Sequence, residues 1–256
     1  MRPPNAKAEL TRLTLRGRQP QLRKWGKCTN FDTLQVLKIT GITDVAVLEW
    51  AADFARFPSL VCLGVQNPND DDSCIIRFFN SLPPLESLTV LGVVDEPMVH
   101  AVSKKHATSL RSLSLPKLFC SADLVFTLRE QYSYLEHLET TVSRTEGDSN
   151  EIAIYTALGS HPHLRSLRLD LDCSVDIGNE PRCAEPAFDV VHRDVNYRQS
   201  HVQRTLLNCA LDSALATSIF NAIARAKPAL SAPLLRVELN VINAGVIVSG
   251  GRHCSR

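Results

Sequence analysis

Leucines recur along the chain in one short phrase. LTRLTL opens at Leu10, LQVLKI at Leu34, LVCLGV at Leu60 and LESLTV at Leu85. LRSLSL follows at Leu110, LEHLET at Leu135 and LRSLRL at Leu164. Offsets 1, 4 and 6 are apolar throughout, except that LEHLET ends on Thr140. A looser eighth copy keeps Leu234, Val237 and Leu239 at the same offsets. The first seven are separated by 24, 26, 25, 25, 25 and 29 residues, and the eighth follows after 70. So regular a step marks copies of one structural unit. A hexamer is too short for a helix of its own, and offsets 4 and 6 share one face of a strand because side chains alternate with period two.

Between copies the period lengthens. In TDVAVLEWAADFARFP, Val45, Leu48, Ala52 and Ala55 recur at three- and four-residue steps. This predicts a helix capped by Thr43 or Asp44 and ended before Pro58. DEPMVHAVSKKHA predicts another, with Asp95 as cap and Pro97 in its first turn. DLVFTLREQYSYL and SNEIAIYTALGSHP predict two more, and Asp70, Asp71 and Asp72 read as a turn leading to a helix N-terminus.

Strand then helix, about every 25 residues, is the pattern of the leucine-rich repeat. The expected fold is therefore α/β: an irregular leucine-rich repeat solenoid of about eight units in one domain spanning 1–256. Parallel strands would line the concave face and helices the convex face, around one continuous core. Strands are expected near 10–16, 34–40, 60–66, 85–91, 110–116, 135–142, 164–171 and 234–241. Residues 172–198, polar and holding two prolines, read as a loop insertion, and 199–227 as one long helix or two short ones ended by Pro228. Residues 244–256 read as a disordered tail. The Asn or Cys customary at offset 9 is replaced by Arg18, Ile42, Pro68, Val93, Leu118, Ser143 and Asp172. Weaker pairing is therefore expected at the turns.

Composition narrows the function classes. Twenty-eight Lys and Arg against 27 acids give a net charge of +1, which argues against a nucleic-acid partner. The charge is uneven: residues 1–38 hold nine basic and two acidic side chains, and the remainder is net acidic. The eight cysteines form no C-x-x-C, and several lie in apolar segments, as expected of thiols in a reducing compartment. The chain has no N-x-[ST] sequon, no apolar signal segment at its start and no apolar run long enough to span a bilayer. A monomer of the cytoplasm or nucleus, without a membrane partner, is expected.

Catalytic chemistry finds little foothold. The chain lacks G-x-S-x-G and any Gly-rich phosphate loop, so neither an enzyme nor a cofactor is expected. Asp170, Asp172, Cys173, Cys183 and His192, with His161 and His163 before them, fit no tight zinc spacing. A metal-dependent site in 170–192 is a remote alternative. The remaining surface is the concave face, where offsets 3, 5 and 7 point outward. Its candidate partner-binding residues begin with the basic Arg12, Arg16 and Lys38 and continue through Gln66, Thr89 and Ser112. His137, Glu139, Arg168, Asp170, Arg236 and Glu238 complete the set at the far end. A protein partner is expected there.

The degenerate 25-residue ladder, with the block LDLDCSVDIGNEP followed by SHVQRTLLNCALDSALATSIFNAI, resembles fungal F-box proteins with C-terminal leucine-rich repeats. The resemblance implies repeats that hold a substrate and an N-terminal F-box that docks on a cullin-based ubiquitin ligase through its adaptor. Nothing before Leu10 matches the L-P-x-E-[LI] opening of an F-box. The chain is therefore expected to be the substrate-recognition repeat region of such a subunit, a truncated product that would meet the adaptor only through a longer, F-box-bearing form. The charge distribution offers an alternative: a leucine-rich repeat regulator that grips a small GTPase or another acidic protein through its basic N-terminal repeats, with Arg18 and Arg23 beside Arg12 and Arg16.

Overall fold

The leucine phrases become the strands of one parallel sheet. The structure, a computed structural model, describes residues 7–17, 21–41, 45–67, 73–176, 203, 206–243 and 247–248. In chain order the elements begin with β1 (Ala8–Glu9), β2 (Arg12–Arg16), α1 (Leu22–Cys28), β3 (Thr29–Asn30), β4 (Val36–Thr40) and α2 (Val45–Phe54). Then come β5 (Cys62–Gln66), α3 (Ser73–Ser81), β6 (Ser87–Leu91), α4 (Glu96–His106), β7 (Ser112–Phe119) and α5 (Ala122–Gln131). The chain continues with β8 (His137–Ser143), α6 (Ser149–Gly159), β9 (Ser166–Asp172) and β10 (Val175–Asp176). It closes with α7 (Ser213–Arg225), β11 (Arg236–Ile242) and β12 (Ile247–Val248). The eight-stranded sheet runs β2-β4-β5-β6-β7-β8-β9-β11, every neighbouring pair parallel. Helices α1 to α7 contact one another in succession, which sets them in a single row over one face of the sheet.

Each strand opens two residues after the first leucine of its phrase. That leucine anchors the turn instead, since Leu34, Leu60, Leu85, Leu110, Leu135 and Leu164 are fully buried where the chain enters the strand. Offsets 4 and 6 supply the rest of the sheet's share of the core, from Leu13 and Leu15 to Leu167 and Leu169, and the helices supply the other wall with side chains such as Leu48, Phe78, Val102, Leu128 and Leu158. At the last strand the same positions, Leu234, Val237 and Leu239, are only half-buried.

Strand entry is governed by a shared acceptor. The carbonyl oxygens of Thr11, Gln35, Val61, Glu86, Arg111, Glu136 and Arg165 each accept two consecutive backbone N–H groups from the next strand's entry, at 2.7–3.1 Å. The pairs begin at Gln35, Val61, Glu86, Arg111, Glu136, Arg165 and Leu235. Most turns at the other end keep their pairing despite the missing offset-9 Asn, the exit of β6 being the exception. Gly17, Asn67, Cys120, Arg144 and Cys173 donate backbone N–H groups to the following strand, and Gly41 N donates to Gln66 Oε1 at 2.8 Å. Gly41, at φ +112°, lies where a Cβ would overlap the Gly17 carbonyl, so the adjacent turns stack only with Gly there.

Caps set the helix starts. Asp95, Ser121, Asp148 and Asp212 each accept the backbone N–H three residues on, which satisfies one of the unpaired donors of the first turn. Residues 206–209 and α7 form two separate helical pieces, parted by Ala210, Leu211 and the cap Asp212. Gly159 at the end of α6 permits α7 to pack closely, because a Cβ there would overlap the Ile223 carbonyl. The proposed caps Thr43 and Asp44 and the acids Asp70, Asp71 and Asp72 lie outside the described residues. The short parallel pair β10–β12 falls where periodicity predicts only loop and tail.

Several polar groups in the core find specific partners, whereas Thr29 Oγ1 and His161 Nε2 make no hydrogen bond with a described residue. Thr140, which replaces an aliphatic rung, donates its hydroxyl to the Leu118 carbonyl at 2.9 Å. His106 accepts from Leu85 N on Nδ1, so Nε2 carries the proton toward the Phe79 carbonyl at 3.2 Å. Burial lowers its pKa by disfavouring the charged ring. Arg144 and Glu151 form a buried ion pair, Nε to Oε1 3.0 Å. Glu151 also accepts from Tyr155 Oη and from the backbone of Thr145 and Gly147 at 2.8–3.0 Å.

Two outcomes follow for stability. Leu113→Ala is expected to cost about 2–5 kcal/mol in urea unfolding, because it leaves a cavity. Leu235→Ala, at a side chain 68% exposed, should shift it by about 0.5 kcal/mol or less. For pH, burial holds His161 at about 4, against 6.5 for a free imidazole. The unfolded chain therefore takes up this proton first as pH falls. The His161 contribution is complete above about pH 6.5, is lost progressively down to pH 4 and changes no further below, a loss on the order of 3 kcal/mol. Unfolding midpoints measured from pH 7 to 4 should fall less steeply in His161→Gln.

Candidate functional site

A parallel sheet normally carries helices on both faces. Among the described residues one face carries no helix, and register aligns its outward side chains into rows. The first runs Arg12, Val36, Cys62, Ser87, Ser112, His137, Ser166, Arg236. The second runs Thr14, Lys38, Gly64, Thr89, Ser114, Glu139, Arg168, Glu238. A third is shorter, pairing Arg16 with Thr40 and Gln66 with Leu91; it breaks at β7 and resumes as Thr141, Asp170 and Asn240. Because strands lie about 4.8 Å apart, partners in adjacent strands fall within side-chain reach. All the sequence-expected face residues lie on these rows. Gln66 is drawn to the rim by its bond to Gly41.

The middle of the face is a trough. Cys62, Gly64, Ser87, Thr89, Ser112 and Ser114 are all small, and the Lys38 stem leans over Gly64. The charges on either side behave differently. Toward β11, Arg168 lies 3.3 Å from Glu139 and 3.8 Å from Glu238. Glu139 accepts from Ser114 at 2.5 Å, Glu238 pairs with Arg236 at 2.8 Å, and Asp170 accepts from Asn240 at 3.0 Å. This half neutralises itself across four strands. Toward β2, Arg12, Arg16 and Lys38 are exposed, and none makes an ion pair or hydrogen bond with a described residue.

Sequence reasoning missed the carboxyl end of β7. Pairing of β6 with β7 stops at Thr89 opposite Ser114, although β6 continues to Leu91 and β7 to Phe119. On the other side, Ser114 faces Glu139 and Phe119 faces Thr141, so five steps along β7 answer two along β8. Pro116 has no N–H to give a ladder, and such residues mark bulges. The bulge is pinned by Thr141 Oγ1 to the Pro116 carbonyl, 2.6 Å, and by the Thr140 bond to Leu118. Beside it lies an open crevice of about 870 Å³. The proline at offset 7 of LRSLSLP was the available signal.

The groups weighed for metal binding point to separate places. Asp170 engages Asn240, while Asp172 accepts from Ser174 N and Asn243 Nδ2 at 2.9 and 3.0 Å. Cys173 is buried against the Asn208 carbonyl, His161 is buried, and His163 stacks on Tyr134. Cys183 and His192 lie outside the described residues. No cluster of three or more His, Cys, Asp or Glu suited to a metal ion occurs among the described residues. Among these residues, no helix is long and apolar enough to cross a membrane. The chain matches no family model, no curated protein and no solved structure.

The Arg168 network is half-exposed, so it contributes little to folding. Arg168→Met should change unfolding free energy by about 1 kcal/mol or less. A loss several times larger in urea titration would show the network to be structural, and not a surface free to exchange partners.

Proposed function

We propose that the chain is a leucine-rich repeat module that holds a protein partner on its uncovered sheet face, which is concave in such folds, and that it performs no catalysis. The observation that carries this reading is the face itself: eight parallel strands with two unbroken rows of outward side chains and, among the described residues, no helix over them. An ordered surface of this breadth with a small-residue trough at its centre suits an extended segment of another protein. In the fuller reading, the module is the substrate-recognition region of an F-box-type ubiquitin ligase subunit. The repeat phrases support it, and the ligase adaptor would be engaged only by a longer product that carries an F-box.

The uncompensated Arg12, Arg16 and Lys38 favour a second reading, in which the partner is an acidic protein such as a small GTPase, gripped at the N-terminal strands.

Affinity capture with quantitative mass spectrometry separates these. A partner of the open face should be lost with Thr89→Arg, which fills the trough, and kept with Glu130→Arg, at an exposed position of α5. Equal capture by both variants sinks the open-face reading. An acidic partner should be lost instead with Arg12→Glu/Lys38→Glu, and should weaken as salt rises. The longer product should bring down the adaptor together with the same partner; failure to do so removes the ligase assignment.

A further inference from the structure

The crevice at the parted ends of β6 and β7 is distinct from the trough, and its lining is chemically one-sided. Val93 and Phe119 are large apolar side chains, 63% and 54% exposed, and both line it with half-buried Leu91. Exposed apolar side chains gathered in a depression mark binding sites far more often than the same residues scattered singly. Around them stand the carboxylates of Asp95, Glu96 and Asp170, against the single cation Lys117. Asp95 spends one oxygen on the α4 cap, and Asp170 Oδ1 accepts from Asn240. Each keeps its second oxygen for other donors.

We propose that this crevice binds an extended peptide segment of a protein partner, seating an apolar side chain between Val93 and Phe119 while flanking Lys or Arg residues meet Asp95, Glu96 and Asp170. Three features support that occupant. The volume, about 870 Å³, lies at the upper end of ordinary ligand sites and exceeds one side chain, leaving room for the main chain beside it. The walls are preformed, because two threonine hydroxyls pin the β7 bulge, so little ordering is needed on binding. The crevice also meets the third row at Asp170, so a chain laid across the sheet reaches it there. The acidic rim selects a basic segment, the reverse of the N-terminal strands, and so gives one partner a fixed direction on the face. This deepens the open-face reading and rests on it.

The test is fluorescence anisotropy with the full chain and a labelled peptide carrying Arg-Leu-Arg at the centre of a Gly/Ser frame. Glu-Leu-Glu and Arg-Gly-Arg versions serve as comparators. Arg-Leu-Arg should bind at least about tenfold more tightly than either. Phe119→Asp and Glu96→Lys, both at exposed positions, should each weaken it about fivefold or more without moving the thermal midpoint. Arg12→Glu/Lys38→Glu should leave it unchanged. Absence of binding, equal binding of Glu-Leu-Glu, or retention by both crevice variants overturns the proposal. Displacement by octylamine as efficient as by unlabelled peptide assigns the crevice to a small amphiphile and overturns it too. If the peptide fails while partner capture still survives Phe119→Asp and is lost with Thr89→Arg, the crevice proposal falls and the open-face reading stands.

Discussion

The architecture depends on one backbone arrangement: a carbonyl at offset 2 of each leucine phrase that accepts two amides from the next. A parallel strand pair has slanted bonds and no hairpin to set its register, and a slip of one residue would send every leucine to the wrong face. The double acceptor prevents the slip at the point of entry. Its reach shows at Arg165, which receives Leu235 and Arg236 after the longest detour in the chain and still places Leu167 opposite Val237. Rows of side chains on the open face are a consequence of that pinning. The buried leucine at offset 1 holds the same turn from below, so the aliphatic and hydrogen-bonding demands meet on adjacent residues.

That coincidence explains what was legible in the sequence. Leucine offsets report burial, and burial tracks strand and helix periods closely enough to place the eight principal strands and the helices from α2 to α6. It does not report where ladder bonding begins, so the strands start two residues late. It was also silent on α1, whose seven residues include only Leu22 as a buried position and no cap from Gln21. The pairing expected to weaken at the turns held at most of them, because backbone donors such as Arg144 N and Cys173 N replaced the missing side-chain ladder, but it lapsed at the exit of β6, which parts from β7 after Thr89. Arg168 could be placed on the open face from its offset, but its position between Glu139 and Glu238 required the lateral register of three strands, one of them separated by the insertion.

Charge on the open face therefore carries two meanings. A cation between two carboxylates presents little net field, and a charged group brought there would exchange contacts at nearly balanced energy. Arg12, Arg16 and Lys38, solvated and unpaired with described residues, project their field outward and can steer an acidic surface from a distance of about 8–10 Å at physiological salt. The net charge of +1 hides this division, since the acids that balance the sum lie elsewhere.

The same pinning decides where individuality can arise. Strand entries tolerate no change of length without breaking a shared acceptor, whereas strand exits are held by single bonds and their loops vary. The extra residues of β7 lie at an exit, and so does the long excursion between β9 and α7. Ile242 and Asn243, at the exit of β11, close the far side of the crevice that β7 opens. A regular array of small and charged rows offers breadth but little discrimination, since neighbouring rungs present similar chemistry. The bulge at Pro116 supplies what the rows lack: one depression of fixed shape, apolar within and acidic at its rim, at a defined place along the sheet. On the proposed reading, specificity on this face follows from the irregular edge, and the ladder beneath it supplies the rigidity that keeps the edge in place.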